Sequence, residues 1–360
     1  MKFLLFSAIN GIDEPNRGTG ERLTQQQRFR RIVDEAVLAD KLGIDAYGAG
    51  ERHTGSVINS SPPVLLSHIA ALTTRIRLIT TVTVLSVLDP VRVAEDYATL
   101  DHLSGGRLDL MIGKGGDVEQ LPIFDLTVDQ VRDSLAERYD LLRRLWTEEQ
   151  VTWRGRFRTP LDRVTVQPRP YQQPIRVWHA GSSRLSTAET AARYGDALFS
   201  TAGGPNRQQY RAYFEHYRER WQFYGHDPRG ASTGISGGFL YLADTTERAI
   251  KQFEPHYANY LNTSVGRKNG SPYDGLREYI ASTPSLIGSP QDVIDRILGY
   301  HADYGNDVIN LLVDGLALAE QSEQLERFAT EVMPVVKKAA PTGLWEGAPP
   351  TDAASTGRRW

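Results

Sequence analysis

The sequence predicts a (β/α)₈ barrel, the TIM-barrel architecture, with insertions. Residues 77–116 have the pattern of a strand, a helix and a second strand, a βαβ unit that requires a parallel sheet. Eight strand candidates occur along the 360 residues, nearly all followed by a helix, with no change of composition between the halves. A barrel needs about 250 residues, so the excess is expected in insertions. A doubly wound sheet is the alternative, but no G-x-G-x-x-G opens the first βα turn.

The βαβ unit illustrates how each element is predicted. Residues 77–85 are rich in β-branched side chains and indicate a buried strand. Asp89 supplies an N-cap oxygen and Pro90 occupies the first helical position. An apolar stripe at helical spacing follows, and a second buried strand is predicted over 108–112. The stripe consists of Val93, Tyr97, Leu100 and Leu103.

The same reasoning predicts the other elements in order. Thr24 and Gln27 form a capping-box pattern before a helix that ends near Gly43. The remaining strands are predicted at 2–8, 44–50, 174–179, 197–200, 237–243 and 308–313. Further helices are predicted around 65–72, 128–146, 183–194, 206–224, 289–304 and 318–338, and one begins at 246.

Three segments depart from the regular alternation. Residues 151–169 are less regular and are expected to be a surface excursion. Residues of about 254–286, after the seventh strand, are rich in Tyr, Asn, Gly and Pro, which is typical of a lid-like insertion or binding loop. Residues 341–360 are rich in Pro, Ala, Gly and Thr and are expected to be a flexible C-terminal tail. We therefore predict one barrel domain over residues 1–340.

The bulk composition limits the class of protein. The net charge of −3 gives no general attraction to nucleic acid or to an anionic membrane, so neither is expected as a partner. Cysteine is absent, which excludes disulfides and thiolate metal sites and fits a cytoplasmic protein. No apolar run approaches the roughly 20 residues of a membrane span, and the first ten residues are expected to be a strand rather than a signal peptide.

Polar residues gather where the predicted strands end, which is where a barrel binds its ligand. Gly181, Ser182, Ser183 and Ser186 precede or open a helix, so their hydroxyl and backbone N–H groups suit a phosphate. Ser186 to Glu189 also has the pattern of an ordinary capping box, and from this segment alone both interpretations stay open. Lys114, at the end of the fourth strand, adds a cation and favours the phosphate.

His53 is the leading acid–base candidate, because imidazole titrates near neutral pH. The neighbouring Arg52 either binds an anion or pairs with Glu51, which itself suits a buried positioning role. His179 either lines the same pocket or is a satisfied core histidine. No histidine spacing matches a metal motif, so no metal site is predicted.

Several segments, in order, resemble the luciferase-like flavin-dependent monooxygenases, the family of bacterial luciferase. They are residues 50–53, 74–78, 89–92, 100–107, 113–115, 180–183, 287–290 and 332–334. The resemblance implies a barrel that binds reduced FMN, often supplied by a separate flavin reductase, and often a homodimer. It implies that dioxygen adds to the flavin as a C4a-(hydro)peroxide, which oxygenates a small organic substrate.

The resemblance also implies roles for individual residues. Lys114 matches a family arginine that holds the FMN phosphate, and Ser182, Ser183 and Ser186 match the phosphate loop. Thr81 and Val82 match the strand beside the isoalloxazine ring, where the family often has a non-proline cis peptide. Residues of about 254–286 fall where the family has its mobile lid.

One departure from the family pattern leaves the chemistry open. The luciferase branch usually has two adjacent histidines after the glutamate, and here Arg52 replaces the first. His53 then becomes the base, with Arg52 holding an anionic substrate or the peroxide, or catalysis is altered or lost. A non-catalytic flavin-binding partner subunit and a hydride-transferring oxidoreductase that uses the deazaflavin F420 are the alternatives.

Overall fold

Eight parallel strands close into a barrel in the computed structural model, which describes residues 1–7, 23–55, 57–201, 206–262 and 273–346. The barrel order is β11, β1, β2, β3, β4, β7, β8 and β9, and the pairing of β8 with β9 completes the ring. The strands are β1 Lys2–Ser7, β2 Ala46–Ala49, β3 Arg77–Thr80, β4 Leu108–Ile112, β7 Arg176–Gly181, β8 Ala197–Ser200, β9 Thr233–Leu242 and β11 Val308–Leu312. The predicted barrel and its eight strands are confirmed, and closure excludes the doubly wound sheet.

Helices pack around the outside of the ring. They are α1 Gln25–Leu42, α2 Pro62–Leu72, α3 Pro90–Ser104, α4 Val131–Thr147, α5 Leu185–Tyr194, α6 Arg207–Phe223, α7 Thr246–Leu261, α8 Leu276–Ser282, α9 Pro290–Tyr304, α10 Leu318–Arg327 and α11 Met333–Ala339. Short 3₁₀ turns occupy Val118–Phe124 and Pro228–Gly230, and a π-helical turn occupies Phe328–Val332. Outside the ring, β5 Val151–Trp153 pairs antiparallel with β6 Leu161–Val164, and β10 Leu286–Gly288 extends β9.

Local sequence signals explain where several helices begin and end. Thr24 accepts a hydrogen bond from the backbone of Gln27, whose side chain bonds back, so the predicted capping box is present. Asp89 caps α3 by accepting from the backbone N–H of Val91, and Pro90 follows at the first position. Gly105 ends α3 in the left-handed conformation at φ +65°, which glycine adopts without steric cost.

One predicted apolar stripe is only partly buried. Val93, Tyr97 and Leu100 of α3 lie in the core, but Leu103 is 65% exposed. The next residue, Ser104, is buried, so α3 is still packed at this point and Leu103 lies on its outward side. Its prediction as a core residue is therefore wrong.

The C-terminal segment closes the N-terminal end of the barrel instead of hanging free. Leu344 is buried with the inward-facing Leu4 and Trp178. The indole Nε1 of Trp345 donates to Oδ2 of Asp109 at 2.8 Å. The prediction of a flexible tail is therefore wrong for residues 341–346, because these side chains complete the apolar interior. Residues 347–360 lie outside the described part of the chain.

The lid-like insertion is shorter and more regular than predicted. Helix α7 continues to Leu261 with Pro255 inside it, and α8 covers Leu276–Ser282. The aromatic residues that suggested irregular structure pack instead, with Tyr257 and Tyr279 in ring contact. Residues 263–272 of the predicted insertion lie outside the described residues. Among the helices that are described, none combines the length and apolar character needed to span a bilayer.

Candidate active site

The predicted site residues follow the carboxyl ends of neighbouring strands. Glu51 and His53 follow β2, Thr81 and Val82 follow β3, and Lys114 follows β4. Gly181 is the last residue of β7, with Ser182 directly after it. Because β2, β3, β4 and β7 are consecutive parallel neighbours, these residues share one end of the barrel.

The segment after β3 forms a wall inside this end. The backbone N–H of Thr81 donates to the carbonyl of Ala49 at 2.8 Å, and the peptide bond between Thr81 and Val82 is cis. A Cβ atom on Gly113 would lie 2.9 Å from a methyl carbon of Val82, so glycine is required there for the two strand ends to pack. The hydroxyl of Thr81 is buried without a hydrogen-bond partner among the described residues.

A pocket of about 310 Å³ opens between the ends of β4 and β7 and the starts of α4 and α5. It brings together residues that are far apart in the sequence, and its positive charge has no acidic counterpart among its lining residues. The cationic and hydroxyl-bearing members are Lys114, Arg132, Tyr139, Ser182, Arg184, Ser186, Thr187 and Thr190. Gly181 and His179 also line it. This electropositive, hydroxyl-rich lining is suited to an anion such as a phosphate.

The start of α5 borders this pocket. Its N-cap residue is Arg184, whose side chain caps no backbone N–H. The predicted capping box at Ser186 is therefore wrong: Ser186 lies inside the first turn and lines the pocket instead. The first backbone N–H groups of a helix lack intrahelical partners and carry partial positive charge, so they favour a bound anion.

Ser183 and His179 differ from the other predicted phosphate-site residues. Ser183 does not line the pocket, and its Oγ accepts a hydrogen bond from Nε2 of Gln209 at 2.9 Å. His179 does line the pocket, but its Nε2 lies 3.1 Å from Oδ2 of Asp196 and its ring packs edge-on against Tyr139. His179 thus combines the two roles that the sequence left open, and its ring is held as a partnered core histidine.

His53 forms a pair with a buried carboxylate. Its Nε2 lies 2.9 Å from Oε1 of Glu51, and its ring packs edge-on against Phe124 with 4.8 Å between ring centres. The Glu51 side chain is 1% exposed, and its Oε2 has no hydrogen-bond partner in the described chain. Burial raises the pKa of the Glu51 carboxyl, while the hydrogen bond to His53 opposes that increase.

Arg52 is half-buried, and its backbone N–H donates to the carbonyl of Asn59 at 3.0 Å. The Glu51 carboxylate contacts His53 rather than Arg52, so the alternative in which Arg52 only pairs with Glu51 is wrong.

Arg132 is a pocket residue that sequence reasoning missed. It lies in the first turn of α4 at an exposed position, and a lone arginine there belongs to no sequence motif that indicates a binding site. Within the described ranges, no three His, Asp or Glu side chains come together as metal ligands.

A barrel with a cationic, hydroxyl-rich pocket at its strand ends is the architecture of an enzyme that binds a phosphate-bearing ligand. Comparison with known proteins identifies the family. The sequence pattern of the family described as "Luciferase-like monooxygenase" matches residues 10–307. The chain therefore belongs to the luciferase-like monooxygenase family, a family of oxidoreductases that use flavin or F420.

The chain is similar to a named monooxygenase component over most of its length and to a second relative over about half of it. The oxygenase component of the flavin-dependent trigonelline monooxygenase from Acinetobacter baylyi is 24% identical over 87% of this chain and 92% of the relative. A further relative, the protein y4wF of Sinorhizobium fredii, is 32% identical, but the matched region spans 54% of its length and 53% of this chain.

Solved structures show the same fold. The monooxygenase RslO1 from Streptomyces bottropensis superimposes with a TM-score of 0.81 at 26% identity, covering 93% of this chain and 99% of RslO1. The oxygenating constituent of 3,6-diketocamphane monooxygenase from Pseudomonas putida, in complex with FMN, gives 0.76 at 19% identity over 93% and 98% of the two chains. An F420-dependent secondary alcohol dehydrogenase gives 0.71 at 16% identity over 93% and 98%.

Proposed function

We propose that this protein is a flavin-dependent monooxygenase that uses reduced FMN and dioxygen to oxygenate a small organic substrate. The observation that carries the proposal is the pocket in which Lys114 meets Ser182 and Ser186 across two strand ends. FMN carries a phosphate, and that pocket supplies cations, hydroxyls and the N-terminus of a helix. The similarity over most of the chain to a named flavin-dependent monooxygenase component and to the monooxygenase RslO1 supports the same assignment.

The residues present fit such a cofactor at both of its ends. Lys114 forms no ion pair within the described residues, and its Nζ bonds only the carbonyl of the adjacent Gly115 at 3.1 Å. Its charge is therefore available to a phosphate, and Arg184 and Arg132 line the same pocket. At the ring end, the unpartnered hydroxyl of Thr81 and the side chain of Val82 form the wall beside the barrel mouth.

When bound, reduced FMN supplies the two electrons that activate dioxygen, so that one oxygen atom enters the substrate and the other leaves as water. The chain's own residues bind and orient the reactants and move protons. His53 lies near the mouth with one ring nitrogen held by Glu51, which suits it to exchange a proton with the substrate. Arg52 is placed beside it and would hold an anionic group of the substrate.

Partners follow from the same proposal. A separate flavin reductase would supply reduced FMN. The segment of about 254–286 would act as the lid over the barrel mouth. The protein would be cytoplasmic. A homodimer is supported by an apolar groove of about 650 Å³ on the outer surface between α1 and α2. Its apolar lining residues are Phe29, Val33, Ile58, Val64 and Leu65, and Val64 is exposed in the single chain. Exposed apolar surface of this kind is typical of a subunit interface.

The test is an anaerobic titration with reduced FMN and, separately, with reduced F420, followed by ¹⁸O₂. Micromolar binding of FMN, and transfer of one ¹⁸O atom to a substrate, are expected. The substrate panel begins with trigonelline and 3,6-diketocamphane, which the names of two relatives supply. Tight binding of F420 alone, with hydride transfer and no oxygen use, would instead identify an F420 oxidoreductase. Binding of FMN with no reaction towards oxygen would identify a non-catalytic partner subunit.

A further inference from the structure

The buried carboxylate of Glu51 has one oxygen, Oε2, that is left without a partner among the described residues. Its side chain is 1% exposed, so it has lost most of its hydration. Oε1 lies 2.9 Å from Nε2 of His53. A buried carboxylate that is retained with so few partners calls for an explanation beyond packing.

Among the described residues, His53 is the one ionisable basic side chain that contacts the Glu51 carboxylate. No lysine or arginine in the described ranges forms an ion pair with this carboxylate. Tyr97 is close enough to feel its charge, but burial and that charge raise the pKa of the Tyr97 hydroxyl, which stays neutral. The pairing of Glu51 with His53 is therefore specific, not one link in a larger charge network.

The ring of His53 is fixed by this contact on one side and by Phe124 on the other. Nε2 is engaged by Glu51, while Nδ1 has no hydrogen bond to any described residue. The side chain is 13% exposed, so this second nitrogen is not sealed in the core. In a neutral imidazole one nitrogen carries the proton and the other a lone pair, and the hydrogen bond of one decides the state of the other.

We propose that Glu51 is a positioning residue that holds the proton of neutral His53 on Nε2, so that Nδ1 is the nitrogen that accepts a proton from the substrate. The inference rests on the proposed function, in which His53 exchanges that proton. The substrate O–H or C–H bond releases its proton to the lone pair of Nδ1. The resulting imidazolium keeps its Nε2–H directed at the Glu51 carboxylate, which stabilises the added charge. The proton then returns to water.

The first test needs neither substrate nor flavin. Protein labelled with ¹⁵N in its histidines is studied by NMR under conditions where the His53 ring is neutral, and the His53 signals are identified by their loss in His53→Ala. We expect the proton on Nε2 in the wild type. In Glu51→Gln, the Nε2–H proton signal should move to higher field, because a bond to a neutral amide is weaker than one to a carboxylate. A proton on Nδ1 in the wild type, or a Nε2–H signal that Glu51→Gln does not move, would overturn the proposal.

The second test separates positioning from folding. With reduced FMN and a panel substrate, Glu51→Gln should lower kcat roughly 10-fold and leave the KM for reduced FMN unchanged. Glu51→Asp, which keeps the charge, should retain more activity and also serves if Glu51→Gln does not fold. The matched control is Glu35→Gln, the same change at a fully buried glutamate of α1 that bonds Tyr47 and Gln321.

The outcomes distinguish this inference from the proposed function. A wild-type protein that binds no FMN and uses no oxygen would refute the function, while the NMR signal still reports which nitrogen of His53 is protonated. Full kcat in Glu51→Gln, in an enzyme that does transfer ¹⁸O, would refute the positioning role and leave the function standing.

Discussion

Two histidine–carboxylate pairs of this barrel differ in what surrounds them. His53 and Glu51 are 2.9 Å apart, and His179 and Asp196 are 3.1 Å apart. Both oxygens of Asp196 are engaged, because Oδ1 accepts from Arg143 at 3.0 Å and Oδ2 accepts from the hydroxyl of Tyr139 as well as facing His179. The Glu51 carboxylate has no arginine, and its Oε2 is unpartnered in the described chain.

Pairs of the same residue types at similar distances therefore need not have the same function. A buried carboxylate with every oxygen satisfied contributes to stability and specificity of packing, as a closed network. A pair that leaves one oxygen and one ring nitrogen without a protein partner has the capacity to bind or exchange a proton with a ligand.

The largest loss of activity is expected from replacing His53, whose Nδ1 has no partner among the described residues. His53→Ala should lower the rate of ¹⁸O transfer to substrate by about 100- to 10,000-fold, the range for losing a general acid–base group. FMN affinity should stay within about twofold, because His53 is not in the phosphate pocket. Mass spectrometry of the product and a flavin titration provide the two readouts. A variant that transfers oxygen at the wild-type rate would contradict the role of His53.

Breaking the pair of His179 and Asp196 should affect stability rather than catalysis. Asp196→Asn leaves Arg143 without its carboxylate and weakens the contacts with His179 and Tyr139. We expect a loss of about 3 kcal/mol in the free energy of unfolding, measured with urea, with kcat per folded molecule unchanged. A large drop in kcat with unchanged stability would show that this pair also takes part in the reaction.

A third buried carboxylate, Glu35, predicts a pH dependence of stability. Burial raises its pKa from 4.5 to about 8 in the folded protein, with the nearby Asp314 adding to the increase. The folded chain therefore holds a proton that the unfolded chain has released between these values. The free energy of unfolding should fall as pH rises through this window, by up to about 1.4 kcal/mol per pH unit from this group.

Glu35→Gln should remove that contribution, because glutamine is isosteric with the protonated carboxyl and does not titrate. The measurement is urea unfolding of both proteins at about pH 5.5, 6.5 and 7.5. The free energy of unfolding of the variant is subtracted from that of the wild type at each pH, so that the contributions of other titrating groups cancel. A difference that does not change with pH would mean that Glu35 is ionised in the folded protein.

Much of the fold was predictable from the sequence, because the signals were local. The β-branched run before Asp89 and Pro90 predicted a strand and a helix start that the structure contains. The failures involve tertiary context. Leu103 has a helical spacing but lies on the outward side of α3, and Trp345 lies in a segment whose composition suggested mobility. Trp345 is ordered by the interior of the barrel and by Asp109, neither of which is adjacent in sequence.

The candidate site was predictable to the extent that the barrel rule applies. That rule brought Lys114 and Ser182 to one pocket although they are far apart along the chain. It could not distinguish Ser183 from its neighbours, since the direction of each side chain in a tight turn depends on the φ and ψ angles of that turn. It also could not identify Arg132, whose role depends on where α4 begins relative to α5.

The most direct test of the proposed phosphate site compares binding of FMN with binding of riboflavin, which lacks only the phosphate. Dissociation constants of both flavins are measured by fluorescence quenching for the wild type and for Lys114→Ala. If Lys114 and the start of α5 hold the phosphate, the wild type should bind FMN more tightly than riboflavin. Lys114→Ala should then weaken FMN by about 10- to 100-fold and leave riboflavin unchanged. Equal affinities of the wild type for the two flavins, or an equal loss for both in Lys114→Ala, would contradict the account.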